Sequence, residues 1–162
     1  MAREGLFASL GAAAVGARVL DLFAGTGAVG IEALSRGADA AVFVERNPKA
    51  LAAIRDNLER TKLGDGARVE RSAVETWLAR TTVPQHGFDL VSLDPPYDLD
   101  VHSIERLFAA LEGGWLAGQA WTVVLTRGHK GPLPAVPVHW AVRRQLRYGD
   151  SLLTLYREER WA

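Results

Sequence analysis

A glycine-rich motif early in this 162-residue sequence could hold a small-molecule cofactor. Gly25, Gly27 and Gly30 follow a short apolar segment that is predicted to be a strand. Glycines at this spacing form a tight turn before a helix, where the backbone approaches a ligand and the helix offers free N–H groups. The same spacing is typical of turns that hold the pyrophosphate of a dinucleotide, so the glycines alone do not identify the cofactor.

Asp21 narrows the choice of cofactor. It is predicted at the end of the strand that precedes the turn, where a carboxylate would repel pyrophosphate oxygens and attract an ammonium or sulfonium group. S-adenosylmethionine carries both of these cations. The alternative is that Asp21 only caps the turn or the following helix, as aspartates often do.

Glu45 is a second candidate cofactor ligand, at the end of the second predicted strand. Its separation from Asp21 is close to that at which an acidic residue accepts hydrogen bonds from the ribose hydroxyls of an adenosine cofactor. We therefore expect Glu45 to bind the ribose. The alternative is a surface glutamate ahead of a helix in which Asn47 is the N-cap and Pro48 the first helical residue.

The motif Asp94-Pro95-Pro96-Tyr97 follows the fourth predicted strand and could bind a substrate. Two prolines remove two N–H donors and fix a rigid corner whose carbonyls can only accept hydrogen bonds. Asp94 and the Pro95 carbonyl could accept from the exocyclic amine of a base turned out of its helix, while Tyr97 stacks on its ring. Methyl transfer to this amine then depends mainly on positioning. The alternative is a rigid turn with no further role.

The elements that must position both motifs alternate between strands and helices. This order predicts an α/β fold: a seven-stranded, mostly parallel sheet with helices on both faces and a C-terminal antiparallel hairpin. Ligands bind such sheets at the carboxyl ends of the strands, so the motifs after strands one and four should meet there. Beyond the first strand, strands are predicted at Ala40–Glu45, Ala67–Arg71, Phe88–Leu93, Trp121–Thr126, Trp140–Tyr148 and Leu152–Glu158. Helices are predicted at Arg3–Ala14, Ala28–Arg36, Pro48–Thr61, Val74–Ala79 and Ile104–Leu111.

The composition is that of a globular protein, with 48% apolar and 23% charged residues. There is no cysteine, which excludes disulfides and thiolate metal sites, and no His or carboxylate cluster has metal-ligand spacing. No apolar run approaches the roughly 18 residues of a membrane span, and no signal sequence is evident. We expect a cytoplasmic monomer without a metal or a membrane partner.

The charges are unevenly distributed although the formal net charge is zero. Zero net charge is unexpected for a protein that holds a long polyanion. However, acids exceed bases from Phe88 to Thr126, and bases exceed acids from Arg127 to Ala162. The second stretch could face nucleic acid or be a solvated surface. Its bases are Arg127, Lys130, Arg143, Arg144, Arg147, Arg157 and Arg160.

Together these motifs resemble the class I S-adenosylmethionine-dependent amino-methyltransferases, whose signature after the fourth strand is Asp/Asn-Pro-Pro-Tyr/Phe. More closely, the chain resembles the RsmD family, which methylates N2 of a guanine in 16S ribosomal RNA. The matching pieces are Arg3-Glu4-Gly5-Leu6-Phe7, Leu20 to Gly30, Ile31 to Ala38, Val42 to Glu45, Asp94 to Tyr97 and Tyr148-Gly149-Asp150.

The resemblance implies a Rossmann-like methyltransferase domain over residues 1–162, with S-adenosylmethionine as cofactor. It implies ribosomal RNA or the assembled small ribosomal subunit as partner. The catalytic residues that it implies are Asp94, Pro95, Pro96 and Tyr97. The cofactor-binding residues that it implies are Asp21, Phe23, Ala24, Gly25, Gly27, Glu45, Arg46, Ser72, Ala73 and Asp94.

The sequence departs from the family pattern at two places. Family members carry an N-terminal segment with a basic hairpin that touches RNA, and here we expect that hairpin to be absent, because only Met1 and Ala2 precede the first helix. Related enzymes often have an acidic residue near the adenine amino group, where this chain has Ser72 and Ala73. Ser72 or backbone atoms would then bind the adenine.

Four other functions remain open at this point. The Asp94 motif could serve a DNA adenine-N6 or cytosine-N4 methyltransferase, and a protein-glutamine methyltransferase resembles it less because that class has Asn at this position. The glycine turn could serve a nicotinamide-dependent oxidoreductase, which leaves Asp94 to Tyr97 unexplained. A non-catalytic RNA-binding remnant would bind the cofactor without turnover.

Overall fold

The computed structural model describes residues 2–159. The strands in this range form one seven-stranded sheet. The strands are β1 (Arg18–Leu22), β2 (Ala40–Glu45), β3 (Ala67–Arg71), β4 (Leu90–Leu93), β5 (Thr122–Gly128), β6 (Trp140–Tyr148) and β7 (Ser151–Glu158). Their order in the sheet is β3-β2-β1-β4-β5-β7-β6. The first five strands are parallel, and β7 pairs antiparallel with both β5 and β6. The predicted mostly parallel sheet with a C-terminal hairpin is therefore confirmed.

Five α-helices cover the two faces of the sheet in the described part of the chain. They are α1 (Ala2–Leu10), α2 (Ala28–Ser35), α3 (Pro48–Thr61), α4 (Val74–Arg80) and α5 (Val101–Leu111). Apolar residues of α1, α2 and α3 pack in one core cluster, and those of α4 and α5 pack in a second. Successive strand residues such as Val19 and Leu20 enter opposite clusters, because side chains alternate across a strand.

Helix α3 shows how local sequence signals set the ends of an element. The Asn47 side chain accepts hydrogen bonds from the Lys49 and Ala50 N–H groups, and Pro48 is the first helical residue. The helix ends at Thr61, and the next residue, Lys62, has a left-handed φ of +60°. These bounds agree with the prediction from the sequence, since caps and prolines act within one turn.

Some predicted bounds were wrong where a local or tertiary contact intervened. The first helix stops at Leu10, and Gly11–Ala14 form a 3₁₀ turn, because Gly11 has φ +58°. Strand β4 starts at Leu90, since Phe88 instead forms an isolated bridge with Leu116. Helix α5 starts before Ile104 because the Asp100 side chain accepts a hydrogen bond from the Ser103 N–H at 2.8 Å.

At Gly30, helix α2 packs closely against the sheet. We expect the replacement of Gly30 by alanine to destabilise the fold. A Cβ at this position would collide with the Phe43 ring on β2. Overpacking of this kind costs about 1–3 kcal/mol. Urea unfolding of Gly30→Ala should therefore show a lower midpoint.

Gly64→Ala is the matched control, because a Cβ at Gly64 meets no heavy atom within 4 Å and its φ is not left-handed. We expect an unfolding midpoint close to that of the wild type. Equal midpoints for the two variants would contradict the steric argument.

Candidate active site

The turn after β1 adopts backbone conformations that only a few residue types reach easily. Gly25 and Gly27 have φ of +59° and +80°, which L side chains rarely adopt. Phe23 also has a positive φ, of +56°, and such strained residues cluster at functional sites. The turn therefore has the open backbone that the sequence predicts for a cofactor cradle.

Asp21 is an acid held almost out of contact with solvent. Its exposed fraction is 3%, and its Oδ2 accepts a hydrogen bond of 3.0 Å from the Gly30 N–H. The pKa of the Asp21 carboxyl is raised to about 8, mainly by burial and also by the negative charges of Asp94 and Glu45, while the Gly30 hydrogen bond opposes the rise. A cation beside these carboxylates would lower that pKa, so the site is suited to an ammonium or sulfonium group.

Glu45 holds the glycine turn to the end of β2. Its Oε1 accepts from the Gly25 N–H at 2.8 Å. Its Oε2 accepts from the Arg46 and Asn47 N–H groups at 3.0 and 2.9 Å. A carboxylate has about four acceptor positions, so these bonds leave room for a ribose hydroxyl. The ribose role stays a prediction, and the geometry adds a structural role that the sequence did not indicate.

Ser72 and Ala73 lie beside Glu45 after β3. The Ser72 N–H donates to the Glu45 carbonyl at 3.1 Å, and the Ser72 hydroxyl donates to the Ala73 carbonyl at 2.8 Å. The hydroxyl oxygen keeps its lone pairs for another donor. An adenine amino group is such a donor, so the predicted role is chemically possible without an acidic residue.

A cavity of about 510 Å³ lies against these residues, within the usual size range of small-molecule sites. Of the predicted cofactor residues, all but Gly27 line it: Asp21, Phe23, Ala24, Gly25, Glu45, Arg46, Ser72, Ala73 and Asp94. Gly27 is buried behind the turn, where it precedes α2. Its role in the structure is to shape the turn.

The cavity also has lining residues that the sequence analysis missed. Ser92 is buried and lies opposite Asp21 in the β1–β4 register. A polar residue inside an otherwise apolar strand was the signal that could have identified it. The remaining missed residues are Thr26, Ala28, Val29, Val44, Val74, Glu75, Leu99 and Thr126. Most are small or apolar and carry no chemical signal in the sequence.

A second pocket, of about 260 Å³, opens at the Asp94 motif. Its lining residues are Asp94, Pro95, Pro96, Tyr97, Thr126, Arg127 and Ser151. Asp94, Pro96 and Thr126 line both pockets, so ligands in the two would be neighbours. The predicted meeting of the two motifs is confirmed, because β1 and β4 are paired strands.

The acceptors of the Asp94 motif are free where a substrate amine would need them. Within residues 2–159, no hydrogen bond occupies the Asp94 carboxylate or the Pro95 carbonyl. The Pro96 carbonyl accepts from the Leu99 N–H at 3.0 Å, so Pro96 serves the rigidity of the corner. Partial burial raises the pKa of Asp94. Tyr97 is 81% exposed at the pocket mouth, as expected for a stacking surface.

The tertiary structure divides the basic C-terminal stretch between the two ends of the hairpin. Arg127 and Arg147 lie in one cross-strand row through Leu152, at the active-site end. Arg143 and Arg157 lie near the other end, where they bond to the Glu158 carbonyl and the Thr122 hydroxyl. Arg160 is outside the described residues. Only part of the stretch can therefore face a ligand at the two pockets.

Two other kinds of site are absent from residues 2–159. None of the helices in that range has the length and apolarity to cross a membrane. The same range contains no group of three or more His, Asp or Glu residues placed to hold a metal ion.

Comparisons with known proteins agree with the fold and the motifs. The family model described as "Conserved hypothetical protein 95" matches residues 1–157. Ribosomal RNA small subunit methyltransferase D of Escherichia coli K12 is 37% identical, over 97% of this chain and 76% of that protein. The Haemophilus influenzae protein of the same name is 31% identical, over 85% of this chain and 69% of that protein.

Solved structures extend the comparison to three dimensions. A conserved hypothetical protein of Streptococcus pyogenes has a TM-score of 0.83 at 38% identity, covering 97% of this chain and 95% of that one. SMU.776, solved in complex with SAH, has a TM-score of 0.75 at 15% identity, covering 96% of this chain and 48% of that one. The latter likeness shows the fold alone. By its matched family model and its relatives, the chain belongs to the conserved hypothetical protein 95 family, which is the RsmD family that its motifs resemble.

Proposed function

We propose that this protein methylates the exocyclic N2 of a guanine in small-subunit ribosomal RNA, with S-adenosylmethionine as methyl donor. The observation that carries the proposal is the junction of the two pockets at Asp94. One pocket has a buried carboxylate suited to a cation, and the other has unoccupied acceptors suited to an amine. A cationic donor and an amine acceptor would meet at this junction.

The residues of the larger cavity fit S-adenosylmethionine. Asp21 offers a buried carboxyl that ionises as the ammonium group binds, and Glu45 has acceptor capacity left for the ribose. A phosphate in the same place would be repelled by both carboxylates, which disfavours a nicotinamide cofactor. S-adenosylmethionine supplies an electrophilic methyl group bound to a sulfonium. The protein then has to orient the acceptor and exclude water.

The residues of the smaller pocket fit an aromatic amine. Asp94 and the Pro95 carbonyl can accept the two N–H bonds of the amine, which turns the nitrogen lone pair toward the neighbouring cavity. The two prolines hold these acceptors in place because their φ angles are fixed. The methyl group would pass to the amine nitrogen by nucleophilic displacement, with S-adenosylhomocysteine as the leaving group and the released proton going to water.

The relatives support ribosomal RNA as the substrate class. Those found in Escherichia coli and Haemophilus influenzae are named for methylation of small-subunit ribosomal RNA. His129 and Arg147 supply basic groups beside the acceptor pocket, where an RNA backbone would pass. A ribosomal substrate places the activity in the cytoplasm. Both pockets are built within one chain, in keeping with a monomer.

Methyl transfer to small ribosomal subunits that lack the modification tests the proposal. Tritiated S-adenosylmethionine, followed by digestion of the RNA to nucleosides, should give labelled N2-methylguanosine. Free 16S RNA and duplex DNA are the comparison substrates. Labelled N6-methyladenine or N4-methylcytosine in DNA would favour the DNA methyltransferase, and cofactor binding without transfer to any substrate would favour the non-catalytic remnant.

Tyr97→Ala should weaken the use of RNA while leaving the fold intact. Stacking of a base on an aromatic side chain is worth about 1–3 kcal/mol, so we expect a loss of about 5- to 100-fold in kcat/KM. The ring is largely exposed, so the unfolding midpoint should not change. Tyr97→Phe keeps the stacking ring and is the matched control. Equal losses in the two variants would indicate that the hydroxyl acts and the ring does not.

A further inference from the structure

We propose that Arg127 selects the base by donating a hydrogen bond from its guanidinium to the O6 carbonyl of the target guanine. The inference rests on the proposed guanine-N2 transfer. Arg127 is near the end of β5, at the edge of the sheet where the other site residues lie. It lines the smaller pocket together with Asp94, Pro95 and Tyr97.

The Nη1 atom of Arg127 is a buried donor without a partner. It has almost no exposed surface, and no hydrogen bond to it is made by the residues that the structure describes. A buried polar group left in this state costs about 1–3 kcal/mol, and more when it is charged. The guanidinium that carries this orphaned donor belongs to a residue of the pocket lining, so Arg127 has unused donor capacity for an acceptor that arrives with the ligand.

Two neighbouring basic residues at this end of the strands, Arg147 and His129, already have partners. The Arg147 Nη2 lies 3.1 Å from the His129 Nε2, and its Nε donates to the Gly149 carbonyl at 3.3 Å. His129 also lies against the Asp150 carbonyl. Arg127 therefore differs from Arg147 and His129, which lie where a phosphate backbone would pass.

Asp94 and Arg127 face the same pocket without pairing. Their charged atoms form no ion pair within 4.0 Å, among the pairs of described residues. The pocket therefore offers an acceptor, Asp94, and a separate donor, Arg127. This pair suits a planar ligand that carries a donor at one end of its edge and an acceptor at the other end. Guanine has N2 and O6 at the two ends of its Watson–Crick edge.

The place of Arg127 in the lining of the pocket favours a base atom over a phosphate oxygen. A phosphate stays with the backbone at the pocket mouth, whereas a flipped base enters the pocket. Adenine with its N6 amine at Asp94 has no carbonyl to present to Arg127. The proposed contact therefore adds selection against adenine to the amine recognition that Asp94 provides.

A substrate change paired with a residue change tests the contact. Small ribosomal subunits are assembled on RNA that carries either guanine or 2-aminopurine at the methylated position. The analogue keeps the N2 amine and lacks O6. A hydrogen bond to a charged group is worth about 1.5–3 kcal/mol, so the wild type should prefer guanine by about 10- to 100-fold in kcat/KM.

Arg127→Met should lose activity on guanine and keep it on 2-aminopurine, so that the preference falls to near unity. Arg127→Gln retains an N–H donor and should restore part of the preference. Arg144→Met is the matched control, since Arg144 is an exposed arginine of β6 that lines neither pocket. It should keep the wild-type preference. S-adenosylhomocysteine affinity and the unfolding midpoint, measured for each variant, report the integrity of the cofactor site and the fold.

Three outcomes would overturn the assignment. If Arg127→Met lost the same factor in kcat/KM on guanine and on 2-aminopurine, Arg127 would contact a phosphate or only stabilise the fold. A wild type that methylates both substrates equally would show that O6 is not read. A wild type that methylates no guanine at all would reject the proposed function together with this inference, whereas the first two results leave that function in place.

Discussion

Asp94→Ala is expected to slow methyl transfer by about 10²- to 10³-fold in kcat, the usual effect of removing one preorganised hydrogen-bonding group from an active site. The carboxylate lies where the two pockets join and has no other partner among the described residues. Without it, only the Pro95 carbonyl remains to orient the amine. Single-turnover transfer to unmethylated small subunits would measure the effect on chemistry apart from product release.

Two further variants separate orientation from charge. Asp94→Asn keeps an acceptor oxygen, so we expect it to retain more activity than alanine. Asp98→Ala removes an exposed carboxylate from the same loop. Asp98 lines neither pocket, so this variant should leave kcat unchanged. A loss in Asp98→Ala as large as that in Asp94→Ala would mean that loop charge, rather than an oriented acceptor, supports the reaction.

Asp21→Asn is expected to weaken S-adenosylhomocysteine binding by about 10²- to 10³-fold, because the ligand ammonium loses its buried counterion. The amide oxygen can still accept the Gly30 N–H, so the turn keeps its geometry. The ligand-free variant should at the same time be more stable than the wild type near pH 8. Calorimetry measures the first effect, and thermal unfolding of the free protein measures the second.

The sign of the stability effect follows from the raised pKa. The Asp21 carboxyl has a pKa of about 8 in the fold against 3.8 as its ordinary value. Between these values the native state holds the proton more tightly than the unfolded chain, so the free energy of unfolding falls as pH rises from about 4 to 8. Asparagine does not ionise and avoids this loss. The stability difference should therefore grow toward pH 8 and shrink toward pH 4.

Cofactor binding should show the opposite trend with pH. A cationic ligand needs ionised Asp21, so binding below pH 8 releases a proton and affinity rises by up to about tenfold per pH unit. Calorimetry in buffers of different ionisation enthalpy counts that proton, and Asp21→Asn should release none. Asp39→Asn removes an exposed acid ahead of β2 and should behave as the wild type. Wild-type affinity that is constant from pH 6 to 8 would contradict the proposed protonation of Asp21.

The sequence by itself determined the elements and the chemical types in the site. Capping residues, prolines, glycines and side-chain periodicity act within a few residues, so β2, β3 and α3 were predicted with the correct ends. The motifs at Asp21 and Asp94 were correctly placed on neighbouring strands, since parallel strands bring their carboxyl ends to one edge.

The tertiary structure alone decided which distant residues complete the site. Thr126, Arg127 and Ser151 join the Asp94 motif through β5 and β7, whose pairing depends on long-range packing. The bonds from Glu45 to the glycine turn arise for the same reason. Burial, which raises the pKa of Asp21 and leaves Arg127 Nη1 unpartnered, is a property of the packed sheet and its helices. Local sequence patterns do not contain this information, because it depends on contacts between segments that lie far apart in the chain.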